Sequence, residues 1–321
     1  MSYQQAIDDL YREAAQSPIK SLCCVSQPPA NLPGLVIPDL MFDMNYGCGS
    51  AAQLGKVTGD DQVLYVGVGG GLELLQLAWM TRANQSVIGV DRLPEMLEKA
   101  KQNLDEADML NAWFDGSMVR LLQGDALCLP LDPDSVTVVA QNCVFNMFEL
   151  PELKKAIGET YRVLKPNGRL MLSDPVSTEP IPQYLKDDER LRAMCLSGAL
   201  PLDEYLKVLT DAGFGQVEVH KRRPYRMLTQ SAYNLDHDIL LFAIEVTAYK
   251  VPVPADGPCV FTGRTATYVG AQDSFDDGCG HHLVAGIPLD VCDKTAVKLA
   301  SLCRDIVVTD STWHYNGGGC C

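Results

Sequence analysis

The 321-residue sequence contains no CxxC pair, no histidine before residue 220 and no long apolar run. Without CxxC, the signature of a zinc knuckle or a thioredoxin-type redox loop is missing. Without an early histidine, the commonest general base is absent from the first two-thirds of the chain. The longest near-continuous apolar stretches, such as 239–244, fall far short of the ~20 residues that cross a bilayer, so no membrane association is expected. The opening MSYQQAIDDLYREAAQ is amphipathic and polar, with no basic start leading into an apolar run. No signal peptide is expected, and the cytoplasm is the expected compartment. Basic charge is scarce too: 26 Lys and Arg face 41 Asp and Glu, a net charge of −15. That field repels phosphate backbones and argues against a nucleic-acid partner. The one basic run, KRR at 221–223, reads as a solvated strand end.

Cysteine, in contrast, is plentiful. There are 12, including the adjacent pairs Cys23–Cys24 and Cys320–Cys321. In a reducing cytosol structural disulfides are rare, which leaves soft-ion chemistry, catalysis or inert core filling. Hydrophobic residues make up 47% and charged residues 21%, the balance of a globular chain that buries a core.

Alternating elements occupy most of the chain. The segment 2–16 reads as a helix and 17–38 as a Pro- and Cys-bearing loop. Strands are expected at QVLYVGV (62–68), SVIGVD (86–91), MVRLLQGD (118–125), SVTVVAQNCVF (135–145) and GRLMLSDP (168–175), with helical patterns at 72–82, 94–110 and 152–165 between them. A helix at 202–214 and two further strands, GQVEVHK (215–221) and ILLFAIEVTAYK (239–250), complete the run. Strand–helix alternation with apolar strands predicts an α/β fold, a mainly parallel sheet covered on both faces. VPVPADGP at 251–258 reads as a linker. The chain is accordingly divided into an N-terminal helix with cysteine-bearing loops (1–60), a central domain (61–250), and a small C-terminal α+β appendage (251–321) with a GGGCC tail.

Gly67-Val68-Gly69-Gly70-Gly71 follows the first strand and opens a helix. Glycines there admit close backbone approach by a ligand, and the helix start favours anionic groups. Asp91 closes the second strand, placed to accept hydrogen bonds from ribose hydroxyls. GDALCLP (124–130) and YRVLKPNGRLMLSD (161–174) add two further signals. Together these motifs resemble the class I S-adenosylmethionine-dependent methyltransferases over roughly residues 40–250. The resemblance implies a Rossmann-like sheet with Gly67, Gly69 and Gly71 along the methionine end of S-adenosylmethionine. It places Asp91 on the ribose, Asp125 and Ala126 at the adenine, and Asn142 in the cofactor site. Where that family often carries an acid, two residues before the first glycine, this chain has Tyr65. The spacing GxGxG departs from the GxGxxG of dinucleotide dehydrogenases, the rival reading.

Ligands in open α/β sheets bind beyond the carboxyl ends of the strands, so Cys143, in QNCVFN at the end of strand four, is expected to face the donor. Cys48 lies in NYGCGS before the first strand, and Cys195 in RLRAMCLSGAL after strand five. NYGCGS, QNCVFN, CLSGAL and an N-terminal cysteine, Cys23 or Cys24, together resemble the arsenite methyltransferases. CCV, ADGPCVFTG and the GGGCC tail are similar to the arsenosugar-biosynthesis subgroup. The resemblance implies Cys143 and Cys195 as core ligands of trivalent arsenic, the substrate. It implies Cys48, with Cys24 or Cys23, as third ligand and redox pair, and a dithiol reductant such as thioredoxin or glutathione as partner. Thiolates are the soft ligands that suit a thiophilic metalloid. The alternative is a methyltransferase for a small organic molecule, its cysteines structural. Cys128, Cys292 and Cys303 read as core filling. Cys279 with His281 and His282 is too irregularly spaced for a metal site.

Overall fold

The computed structural model describes residues 3–19, 22, 31–53 and 55–317. Cys23, Cys24, Cys320 and Cys321 lie outside the described residues.

The central sheet is built from β1 (Val63–Val66), β2 (Val87–Asp91), β3 (Val119–Gln123), β4 (Val136–Asn142) and β5 (Leu164–Ser177). β6 (Gln216–Leu228), β7 (Ile239–Tyr249) and β8 (Cys259–Phe261) complete it, in the spatial order β3-β2-β1-β4-β5-β7-β6-β8. β1 to β5 pair in parallel, while β7 runs antiparallel to both β5 and β6. The strand order reverses between β1 and β4, and such a switch point opens a crevice at the carboxyl ends of the two strands.

The inner parallel strands are apolar on both faces because helices cover both, whereas the edge strand β3 is partly exposed. Every residue of β1 is buried. On one face α3 (Leu72–Thr81) and α4 (Pro94–Leu110) pack Leu74, Leu77 and Met96 onto Val63, Tyr65 and Val138. On the other, α5 (Leu150–Val163) and α8 (Leu202–Asp211) pack Ile157, Tyr205 and Leu209 onto Leu64, Val139 and Leu172. α4 begins with Pro94, whose fixed φ suits a first helical turn.

Three elements outside the repeating pattern shape the crevice. α1 (Tyr3–Gln16) lies across α4 and across α7 (Glu189–Ala193). The short α2 (Asp39–Asp43) follows Pro38 and buries Met41. α7, preceded by α6 (Gln183–Lys186), belongs to the insertion between β5 and α8. Another short helix, α9 (Gln230–Tyr233), joins β6 to β7.

The structure extends β6 seven residues beyond the 221 expected from the sequence, straight through the basic run. Lys221 and Arg223 bind the buried carboxylate of Glu245 on β7, at 2.8 and 2.7 Å. Arg222 stacks over the rings of Phe242 and Trp313, 3.9 and 5.1 Å from their centroids. The run is therefore the middle of a paired strand rather than its end: Arg222 and Arg223 are half-buried against these partners, while Lys221 stays exposed.

Beyond residue 250, β8 joins the main sheet parallel to β6. A second sheet, β12 (Leu289–Val291), β9 (Arg264–Tyr268) and β13 (Ile306–Val308), packs Ala266 and Ile306 against Ala296 and Leu299 of α10 (Asp293–Leu302). The hairpin of β10 (Ser274–Asp276) and β11 (His282–Val284) completes this part. Among the described residues, no helix is long and apolar enough to cross a membrane.

Candidate functional site

A cleft at the carboxyl ends of β1, β2 and β4 encloses about 1130 Å³, part of it open to solvent. Its floor is the glycine turn. Gly67 and Gly69 adopt φ of 80° and 51°, a region that costs an L side chain 1–2 kcal/mol or so. A Cβ on Gly67 would stand 2.4 Å from Val144 Cγ2. The glycine therefore lets the turn pass directly beneath the loop after β4. Gly71, at φ 87°, begins α3 and lies behind the cleft wall rather than on it.

Asp91 stands at the far side of the cleft floor. Its Oδ2 accepts a hydrogen bond from Val68 N and its Oδ1 from Leu93 N, each at 3.0 Å. Burial pushes its carboxyl up to about 6, against the lowering effect of the backbone N–H groups of Leu93, Val68 and Arg92. Gly124, Asp125 and Ala126, just past β3, form the adjoining wall. Asp125 fixes its own turn by accepting from Leu127 N at 2.8 Å. A nucleoside with a charged amino-acid tail fits this layout: glycine backbone at one end, a carboxylate for ribose, and an Asp-Ala edge beyond it.

Sequence reasoning missed the lid. Gln4, Ile7, Asp8 and Tyr11, on one face of α1, line the cleft opposite the glycine turn. Asp8 forms an ion pair with Arg92, the residue after Asp91, and Arg12 pairs with Glu95 at 3.4 Å. Gln4 Nε2 donates to Glu152 at 2.7 Å. The visible signal was the two-faced pattern of the helix, which reads equally well as ordinary surface packing. Glu73, on the buried face of α3, also lines the cleft and was likewise missed, because one acid in an apolar helix carries no spacing signature.

The cysteines meet at the end of the cleft. Cys48, Cys143 and Cys195 belong to a single buried cluster with Ile7, Met147, Ala193 and Ala243. Cys143 forms part of the cleft wall. Cys195 Sγ donates to the Cys143 carbonyl at 3.0 Å, which sets its sulfur against the backbone of Cys143. Cys48 Sγ lies 3.4 Å from Ser173 Oγ, within β5. Asn142 holds the loop of Cys48 in place: its Oδ1 accepts from Cys48 N at 3.1 Å, and its Nδ2 donates to Gly49 O at 2.8 Å. A Cβ on Gly47 would stand 2.1 Å from Asn142 Nδ2, so the contact requires glycine there. Asn142 reaches the cleft, yet its amide is occupied by this loop and by Glu73.

Both Cys143 and Cys195 occupy the left-handed backbone region, at φ 59° and 57°. Such residues cost roughly 1–3 kcal/mol each and persist only where the surroundings hold them. Cys143 N donates to Ser173 O at 2.8 Å, and Val144 N donates to Gln141 Oε1 at 2.9 Å. Gln141 Nε2 donates to the buried Asp174 at 2.7 Å, which also accepts from Tyr205. Asn146 Nδ2 donates to Cys195 O at 3.0 Å.

Of the cysteines expected to fill the core, Cys292 does so, whereas Cys128 is exposed and Cys303 only half-buried. Cys128 N closes a tight turn onto Asp125 O, which turns its side chain outward. Cys23 and Cys24, proposed partners of Cys48, fall outside the described residues.

Residues 58–230 match the Methyltransferase domain family. An arsenite methyltransferase of Halobacterium salinarum is 36% identical over 177 residues, which cover 55% of this chain and 43% of that protein. One from Aquipseudomonas alcaligenes is 28% identical over 254 residues, 78% of this chain and 72% of that one. The chain thus spans less than half the length of the first relative. A solved arsenic (III) S-adenosylmethionine methyltransferase from Chlamydomonas reinhardtii superposes with a TM-score of 0.63 at 24% identity, covering 89% of this chain and 99% of that one, a likeness of fold. The expected Rossmann-like α/β architecture is borne out. With its glycine turn, the acid that ends β2 and the switch-point cleft all inside the matched span, the chain belongs to the Methyltransferase domain family, whose methyl donor is S-adenosylmethionine.

Proposed function

We propose that this protein transfers a methyl group from S-adenosylmethionine to trivalent arsenic bound by Cys143 and Cys195, with Cys48 as the third sulfur at hand. The observation that carries the reading is the gathering of three cysteines, from loops about fifty and a hundred residues apart in sequence, into one buried cluster that adjoins the donor cleft. The names of the relatives agree with it.

Gly67 and Gly69 would receive the methionine end of the donor, Asp91 its ribose, and Asp125 with Ala126 its adenine. When bound there, S-adenosylmethionine supplies an electrophilic methyl group on a sulfonium. Arsenite exchanges hydroxide ligands for cysteine thiolates, each thiol proton leaving with a hydroxide as water. The thiolates suit the soft metalloid and keep its lone pair available. That pair forms the As–C bond while the methyl–sulfur bond breaks and its electrons stay with the departing thioether. No proton has to be removed from the nucleophile, in accord with a cleft that, among the described residues, no histidine lines. The chain's main contribution is positioning, with α1 closing the cleft against water. Arsenic is formally oxidised by two electrons in the transfer. Two cysteine thiolates return those electrons by forming a disulfide, which a cytosolic dithiol, thioredoxin or glutathione-linked, reopens.

Incubation with arsenite, S-adenosylmethionine and a dithiol, read by chromatography with arsenic-specific mass detection, tests the proposal. Methylated arsenic and equivalent S-adenosylhomocysteine are expected, and both should vanish in Cys143→Ser and Cys195→Ser. Undiminished methylation in both variants would overturn the assignment.

A further inference from the structure

Glu73 is only 7% exposed, and its carboxylate faces donors alone. Oε1 accepts from Ser50 Oγ at 2.9 Å, Ala51 N at 2.8 Å and Ala52 N at 3.3 Å. Oε2 accepts from Tyr65 Oη and from Asn142 Nδ2 at 3.2 Å. That pattern belongs to an ionised carboxylate. Yet among the described residues no Lys, Arg or His makes an ion pair with it. Two other acids buried in the fold do have cations: Asp61 pairs with Arg169 at 2.7 Å, and Glu245 with Lys221 and Arg223. A buried anion without a counter-charge costs several kcal/mol or so, so its place on the wall of a ligand cleft calls for a cation that arrives with the ligand. Tyr65, beside it on β1, lines the same cleft. Burial and the Glu73 carboxylate push its hydroxyl well above its ordinary value, so Tyr65 stays protonated and donates to Glu73.

We propose that Glu73, with the Tyr65 hydroxyl it holds, is the anionic subsite that receives the α-ammonium group of the donor. β1 has no acid of its own near the glycine turn. The carboxylate comes instead from the first turn of α3 and reaches back to the strand through Tyr65. This assignment rests on the cleft binding S-adenosylmethionine and is independent of the acceptor being arsenic.

Calorimetric binding with four ligands tests it: S-adenosylmethionine, S-adenosylhomocysteine, the homocysteine compound with its ammonium replaced by hydrogen, and 5′-methylthioadenosine, which lacks the amino-acid part. Glu73→Gln should weaken S-adenosylmethionine and S-adenosylhomocysteine alike, tenfold or more, and leave the other two within about twofold of the wild type. Tyr65→Phe, which keeps the carboxylate, should show the same selectivity with a smaller loss. Equal weakening of all four ligands would make Glu73 a purely structural residue and overturn the proposal. Weakening of S-adenosylmethionine alone would assign the charge to the sulfonium and overturn it as well. Wild-type affinity in Glu73→Gln would do the same. If the wild-type chain bound none of the four, the donor reading of the cleft would fall, and this assignment with it. Circular dichroism and the melting temperature of each variant separate misfolding from lost recognition, and Tyr65→Phe carries the test if Glu73→Gln fails to fold.

Discussion

The donor end and the cysteine end of the cleft are built differently. The donor end is nearly local: a strand, a glycine turn and a helix in one run of chain, with an acid 20 residues farther on and the Asp125–Ala126 edge after β3. Its geometry comes from backbone, and glycine permits it. The cysteine end is assembled from three separated loops, two of them in left-handed conformations that glycine would adopt at less cost. Cysteine stands at both positions all the same. Local backbone geometry can serve a cofactor common to many methyltransferases, whereas the proposed grip on a soft atom would require particular side chains, and these are held against their conformational preference by a buried network. The two ends meet at Val144, which follows Cys143 and lies over Gly67.

If the two ends are separable in this way, variants should fall into two classes. The largest effect belongs to Cys143→Ser: arsenite-dependent formation of S-adenosylhomocysteine should drop by ~10³ or more, as expected for one member of a set acting as a unit. Calorimetric affinity for S-adenosylhomocysteine should stay within about threefold. Gly67→Ala should break the separation, since its methyl would push Val144 and the backbone at Cys143. Donor affinity and methylation should both fall, donor affinity by roughly a hundredfold, or ~3 kcal/mol.

Asp91→Asn should affect the donor end alone. Loss of a charge-assisted hydrogen bond is worth ~1.5–3 kcal/mol, a ten- to hundredfold loss of donor affinity, while arsenite binding to the cysteines persists. The pH response follows from a carboxyl raised by burial from 3.8 to about 6. Between those values the folded chain holds this proton and the unfolded chain releases it, so the group's contribution to stability declines as pH rises across the window. Donor binding, which needs the charged carboxylate, should strengthen over the same window, and that strengthening should be lost in Asp91→Asn. The smallest effect is expected for Asn146→Ala, which removes the hydrogen bond to Cys195 O. Turnover should fall about fivefold, with ~1 kcal/mol lost from the melting transition and donor affinity unchanged.

The sequence made the donor end legible because its signals are short-range: alternating apolar strands, Gly67 to Gly71, and Asp91 at a strand end. The placement of Cys143 could be read as well, since a residue closing β4 must face the switch point. Other features depend on contacts that spacing cannot convey. Glu73 looks like a stray acid on a buried helix until Tyr65, Ser50 and the backbone of Ala51 surround it. The part α1 plays in roofing the cleft depends on the Asp8–Arg92 pair, between residues far apart in the chain. Lys221 to Arg223 look solvent-facing until Glu245, Phe242 and Trp313 supply their partners. Cys128 looks like a core residue until the turn onto Asp125 points it outward.

X-ray absorption at the arsenic edge, on the full chain loaded with one equivalent of arsenite, tests the central claim most directly. The account predicts a first shell dominated by sulfur in the wild type, with one sulfur fewer in Cys195→Ser and in Cys143→Ser. An oxygen-only shell, or a sulfur shell unchanged in both variants, would contradict it.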